Sequence, residues 1–178
     1  MTSTSPADPP IALSLTRVSK RFGTVQALRD VSVECRAGEI HAVVGENGSG
    51  KSTLLGIASG VLAPDEGTVE IAGRRLHAGD AAQALRLGLG MAYQSYSQIV
   101  ELSVAENLYL AASSDDRPRF GRMRSWAAER LAEYGLAIAP ETRMGTLTLA
   151  ERQLLEAVKA LLQHPKVLLL DEPTTALG

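Results

Sequence analysis

Between Ile11 and Cys35, apolar or β-branched side chains recur at short intervals, at Leu13, Leu15, Val18, Val25, Val31 and Val33, with interruptions at Gly23 and at Arg29-Asp30. This spacing predicts an antiparallel meander of short strands. Ile40 to Val44 is apolar apart from His41, the pattern of a strand buried on both faces in a parallel sheet, with His41 a hydrogen-bonded strand histidine. A Gly-rich loop follows, and a helix is expected from Lys51 to about Ser59-Gly60. Pro64-Asp65-Glu66-Gly67 reads as a turn and Thr68 to Ile71 as a strand. Asp80 is placed to cap a helix through Leu87, ended by Gly88 and Gly90, and Met91 to Tyr93 is a further short strand.

Beyond Tyr93 the pattern turns helical. Ser103-Val104-Ala105-Glu106 is a capping box opening a helix to about Ala111, and Ser113 to Gly121 is a polar loop containing Pro118. A second helix is expected from about Ser125 to Tyr134, closed by Gly135. Thr148-Leu149-Ala150-Glu151 is another capping box, whose helix runs to about Gln163 before Pro165 stops it. Val167 to Leu170 returns to buried strand. The layout is an α/β nucleotide-fold core carrying a helical insertion over about residues 95–164, preceded by a loose tail over residues 1–10 rich in Ser, Thr, Pro and Asp.

Composition narrows the functional classes. Eighteen Lys and Arg against 20 Asp and Glu give a formal charge of −2, which argues against a partner held by phosphate-covering basic surface, so no nucleic acid is expected. One cysteine, Cys35, can form no internal disulfide; it is expected as a small buried residue beside a strand, in a reducing compartment. No apolar run approaches the ~18 residues of a membrane span, and the first ten residues lack the cationic start and apolar middle of a secretion signal. The expected setting is the cytoplasm.

Gly45-Glu46-Asn47-Gly48-Ser49-Gly50-Lys51-Ser52 fits the pattern G-x-x-x-x-G-K-[ST], between an expected buried strand and an expected helix. Glycines let such a loop wrap tightly, so that successive N–H groups face an anion and the next helix adds its positive end. Lys51 would reach the β and γ phosphates, the Ser52 hydroxyl would ligate Mg2+, and Thr53 would lie near the α phosphate. Val167-Leu168-Leu169-Leu170-Asp171-Glu172 brings two adjacent carboxylates to a strand's C-terminal end, where open α/β sheets place their sites. Asp171 is expected to hold Mg2+ and Glu172 to polarise the attacking water. The chain carries no N-K-x-D guanine motif.

These motifs, in this order, make the chain resemble the ATP-binding subunit of an ABC transporter. Asp171-Glu172-Pro173-Thr174 is similar to the segment that follows the acidic strand in that family, and Thr175-Ala176-Leu177 to the start of its D-loop. Lys20-Arg21-Phe22-Gly23 resembles the segment whose aromatic residue stacks on adenine, which implies Phe22. Tyr93-Gln94 resembles the approach to the Q-loop, which implies that Gln94 ligates Mg2+ or orients water and senses the membrane partner. Glu39 to Gly48, Leu102 to Leu108 and Glu151 to Glu156 resemble the monosaccharide-importer branch. The resemblance implies a P-loop NTPase with an N-terminal antiparallel β subdomain, using ATP and Mg2+. It also implies a permease docked near Gln94 to Glu101, a second ATP-binding cassette, a solute-binding protein engaged indirectly, and a place at the inner face of the membrane.

Two departures stand out. The signature L-S-G-G-Q that meets the other cassette's nucleotide corresponds to Leu147-Thr148-Leu149-Ala150-Glu151, which keeps a hydroxyl at Thr148, lacks both glycines and substitutes Glu for Gln. Six residues follow Glu172, so the D-loop is cut short and the switch histidine has no counterpart; an incomplete cassette, feeble by itself, is expected. The leading reading is an ATPase that drives a sugar importer. Its alternatives are a nucleotide-binding module that does not hydrolyse, and a soluble ABC ATPase without a transport role.

Overall fold

Two twelve-residue strands, β1 (Ile11–Phe22) and β2 (Val25–Arg36), form an antiparallel hairpin joined by Gly23 and Thr24. They belong to a computed structural model that describes residues 8–92 and 98–171. Arg29-Asp30, expected to break the strand, lies inside β2. Asp30 adopts φ 50° and donates its N–H to Ser19 Oγ at 3.0 Å. A bulge of this kind inserts a residue without ending the strand and shifts the side-chain alternation by one. Arg17, at φ 48°, does the same on β1 between the buried Leu15 and the buried Val18. Strict alternation would have turned Arg17, not Val18, into the core.

Strand β3 (Glu66–Ile71) pairs with the other edge of β1, setting Leu13 opposite Ile71 and Leu15 opposite Val69, and β4 (Arg74–Arg75) completes the order β2-β1-β3-β4. Gly67, at φ 91°, faces the Arg17 bulge so closely that a Cβ would sit 2.5 Å from the Arg17 carbonyl oxygen. Helix α1 (Lys51–Ala58) contributes Leu54, Ile57 and Ala58 to the buried set. Helix α2 (Ala81–Leu87) starts as expected, with Asp80 Oδ1 accepting from the Gln83 N–H at 2.7 Å, and stops at Gly88, φ 96°.

The residues Ile40 to Val44 do not form the expected strand. Ile40 is fully exposed, Val44 is 87% exposed, and the segment is irregular. A doubly buried strand needs neighbours on both edges to take its N–H and C=O groups; among the described residues no strand pairs with it. His41 is therefore not a strand histidine; its Nε2 lies 2.8 Å from Glu39 Oε2. Cys35 lies within β2 and is half-buried.

The chain divides into two units, Met1–Leu89 and Gly90–Gly178. The boundary falls in strand β5 (Leu89–Ala92), so Gly90 belongs to a strand rather than to the end of α2, and a Cβ there would meet Pro165 at 3.0 Å. In the second unit, β5 pairs with β6 (Val167–Leu170). Helix α3 (Val104–Ala111) carries both bonds of the Ser103–Glu106 capping box. A 3-10 turn, Phe120–Arg122, leads into α4 (Met123–Glu133), two residues earlier than expected because Met123 is drawn into the core. Helix α5 (Leu149–Leu161) ends before Pro165, and His164 takes a left-handed φ of 48° on the way out. Val104 and Leu108, then Met123, Ala127 and Leu131, then Leu155, Val158 and Leu162, three or four positions apart within each set, interlock in one core with Trp126. No described helix is long and apolar enough to cross a membrane.

Candidate functional site

The segment Gly45 to Ser52 builds a concave backbone from glycine chemistry. Gly48 and Gly50 have φ of 82° and 95°, in the region that residues with a Cβ rarely adopt. The Ser49 N–H donates to the Glu46 carbonyl at 3.2 Å, and a Cβ on Gly45 would lie 2.6 Å from Ser49 Oγ. Gly50 is fixed by more than its dihedral: a Cβ there would stand 2.6 Å from the Ala27 carbonyl oxygen and 3.0 Å from Leu28 Cδ2, so β2 backs the loop directly. Glu46, Asn47, Ser49 and Ser52 are exposed, and Thr53 is half-buried.

Gly50 is also the N-cap of α1. No side chain caps this helix and no acid occupies its first turn. The N–H groups of Lys51, Ser52 and Thr53 have no intrahelical acceptor, and the helix dipole adds positive potential at the same end. Lys51 Nζ donates to the carbonyls of Gly45 at 2.8 Å and Glu46 at 2.9 Å, which holds its ammonium against the loop. Neutral carbonyls are weak partners for a cation compared with a phosphate oxygen. The donor set of amides and one ammonium, with no carboxylate paired to the lysine among the described residues, therefore fits a polyphosphate.

Phe22 ends β1 at the hairpin tip and is 47% exposed, leaving ring surface free for stacking. Lys20, two residues earlier on the same strand face, sets its Nζ 5.6 Å from the ring centroid. Asp65 holds that lysine: Oδ1 accepts from Lys20 Nζ at 2.9 Å, Oδ2 accepts from the Arg21 N–H at 2.7 Å, and the Asp65 N–H donates to the Ser19 carbonyl at 2.9 Å. These bonds, the Lys20 one foremost, keep the Asp65 carboxyl below the ordinary carboxylate range. The sequence had marked Pro64–Gly67 only as a turn; the 45-residue separation of Lys20 and Asp65 leaves no local signal.

In the second unit Thr148 caps α5. Its hydroxyl donates to Glu151 Oε2 at 2.7 Å, its N–H donates to the same oxygen at 2.8 Å, and the Glu151 N–H donates back to Thr148 Oγ1 at 3.3 Å. The hydroxyl bond first, then the backbone bond, lowers the Glu151 carboxyl below its usual range. Residues 98–100 are pinned to this region: Gln98 Nε2 donates to the Arg152 carbonyl at 2.6 Å and the Gly145 N–H donates to the Val100 carbonyl at 3.0 Å. Buried Asn107 grips them from α3, accepting from the Ile99 N–H at 2.9 Å and donating to the Ile99 and Ser103 carbonyls, each at 3.0 Å. An amide on an otherwise apolar helix face was the one available sequence signal for this clamp. Asp171 stands directly after β6, half-buried. Tyr93, Gln94, Glu172 and the residues after it lie outside the described residues.

The family described as ABC transporter matches residues 28–175. A "Putative ribose/galactose/methyl galactoside import ATP-binding protein 3" of Burkholderia cenocepacia (strain HI2424) is 43% identical over 171 residues, covering 93% of this chain and 32% of that protein. A "Ribose import ATP-binding protein RbsA 2" of Agrobacterium fabrum (strain C58) is 42% identical over 170 residues, covering 94% and 33%. Among solved structures, the ADP conformation of MJ1267, an ATP-binding cassette of an ABC transporter, superposes with a TM-score of 0.81 at 27% identity, covering 94% of this chain and 71% of that one. The chain spans about a third of the length of the curated relatives.

Proposed function

The chain belongs to the ABC transporter family, and from that membership we propose that it is the ATP-binding part of a protein that powers import of a sugar. The relatives named for ribose and galactose import, at 42 and 43% identity, support the sugar assignment. The observation that carries ATP binding is the uncapped, acid-free N-terminus of α1 with Lys51 Nζ held, among the described residues, by loop carbonyls.

In this reading the amides of Gly45 to Thr53 orient the triphosphate, and Lys51 exchanges the Gly45 and Glu46 carbonyls for β and γ phosphate oxygens. Phe22 stacks on the adenine. Mg2+, when bound, neutralises charge on the transferred phosphoryl group, and Ser52, Gln94 and Asp171 are the residues proposed to hold it. Glu172 takes the proton of the attacking water and Gln94 orients that water. Thr148 serves the nucleotide of a second cassette. The helical subdomain covers about residues 95–164, and the permease docks near Gln94 to Glu101, where Ile99 and Val100 are 44% and 42% exposed. A solute-binding protein delivers the sugar on the far side, and the chain works at the cytoplasmic face of the membrane. ATP turnover by the protein with its permease is the test. Glu172→Gln is expected to retain ATP and stop phosphate release; release at the parental rate overturns the role of Glu172.

A second reading, binding without hydrolysis, has one observation in its favour. The Glu151 carboxylate occupies the end of α5 that a second cassette's γ phosphate would approach. Turnover of the complete protein separates the two.

A further inference from the structure

We propose that Asp65 and Lys20 form a positioning pair for base recognition, holding the Phe22 ring in place so that its outer face is presented to a purine. The inference rests on the reading of Phe22 as the base-stacking residue and goes beyond it, because neither partner touches the phosphate loop.

Three observations converge. Lys20 is only 16% exposed as a side chain, an unusual state for a lysine two residues from a hairpin tip, and its ammonium divides between the Asp65 carboxylate and the Phe22 ring. Asp65 makes three bonds to three successive residues, Ser19, Lys20 and Arg21, so the turn over 64–67 is stitched to the strand end that carries Phe22. The opposite side of the tip is braced as well: Arg21 Nη2 donates to Gln26 Oε1 at 2.7 Å, and Gln26 Nε2 donates to the Leu28 carbonyl at 2.6 Å. Leu28 is the residue packed beside Gly50. The ring is thereby referenced to the phosphate loop through β2, and an ammonium covers part of one ring face while about half the residue stays open to solvent.

An ordered ring loses less entropy on stacking than a mobile one, so the pair raises affinity for the base and leaves the phosphate contacts untouched. The discriminating experiment compares ATP with inorganic tripolyphosphate, which presents the phosphates without a base, by equilibrium titration of the 178-residue chain. Phe22→Ala is expected to lower ATP affinity about tenfold relative to tripolyphosphate affinity. Asp65→Asn and Lys20→Met are each expected to lower that ratio about threefold, with Lys20→Arg restoring it. A merely structural role would weaken both ligands together and leave the ratio constant, and that result overturns the proposal; retained tripolyphosphate binding shows that each variant is folded. If Phe22→Ala itself leaves the ratio unchanged, the stacking reading fails and the pair's role falls with it. If Phe22→Ala moves the ratio while Asp65→Asn and Lys20→Met do not, stacking stands and the positioning pair alone is refuted.

Discussion

Two helix N-termini in this chain were both legible as places for phosphate, and they are finished in opposite ways. At α1 the N-cap is Gly50, with no side-chain cap and no acid in the first turn. At α5 the N-cap is Thr148, and the Glu151 carboxylate takes the N–H and hydroxyl of Thr148. An unsatisfied helix end attracts an anion, whereas a helix end that carries its own anion is stabilised and less receptive. Within one chain, therefore, α1 is left open for a ligand and α5 is closed by its own sequence.

The largest effect is expected at the open end. Lys51→Ala removes the ammonium that meets the phosphates, and ATP affinity should fall on the order of a hundredfold in equilibrium titration; unchanged affinity would remove the loop from the account. Gly50→Ala forces a side chain into φ 95° against the Ala27 carbonyl. The strain, of order 1–3 kcal/mol, should appear as about tenfold weaker ATP binding together with a lower unfolding midpoint.

At the closed end the effects should fall on stability. Thr148→Ala takes away the cap and should cost about 1 kcal/mol, a drop of about 2–4 °C in Tm for a chain of this size, with ATP affinity at the chain's own phosphate loop, titrated without a second cassette, little changed. The pH dependence has a definite sign. The Glu151 carboxyl is lowered in the folded chain by its bonds to Thr148, so the cap's contribution is fully present above the unfolded carboxylate pKa, near ~4.3. It is lost as pH falls through the lower folded value. Thermal unfolding followed from pH 7 to pH 3 should show this loss only at the acid end, and Glu151→Gln should flatten that part of the profile. The smallest effect expected of Glu151→Gln is a gain of about two- to threefold in anion affinity at α5.

The same contrast explains what could be read from the sequence. The capping boxes at Ser103 and Thr148 and the Asp80 cap rest on contacts within a few residues, and they stand where the spacing put them. Ile40 to Val44 depends on neighbours elsewhere in the chain; its apolar run signals a tendency to pair, which no described strand meets. The bulges at Arg17 and Asp30 escaped because the shift of alternation is imposed by cross-strand partners, Gly67 and Ser19. The Asp65 clamp escaped for a related reason: a polar residue in a turn does not announce a bond to a residue 45 positions away. Phe22 and Gln94 came from family resemblance rather than from spacing.

Amide resonances of the 15N-labelled chain, followed during titration with tripolyphosphate, test the contrast between the two helix ends most directly. The N–H signals of Gly48, Gly50, Lys51 and Ser52 should shift with a common binding curve while those of Leu149, Ala150 and Glu151 stay in place. Shifts at 149–151 with a silent loop would contradict the assignment of the triphosphate to α1.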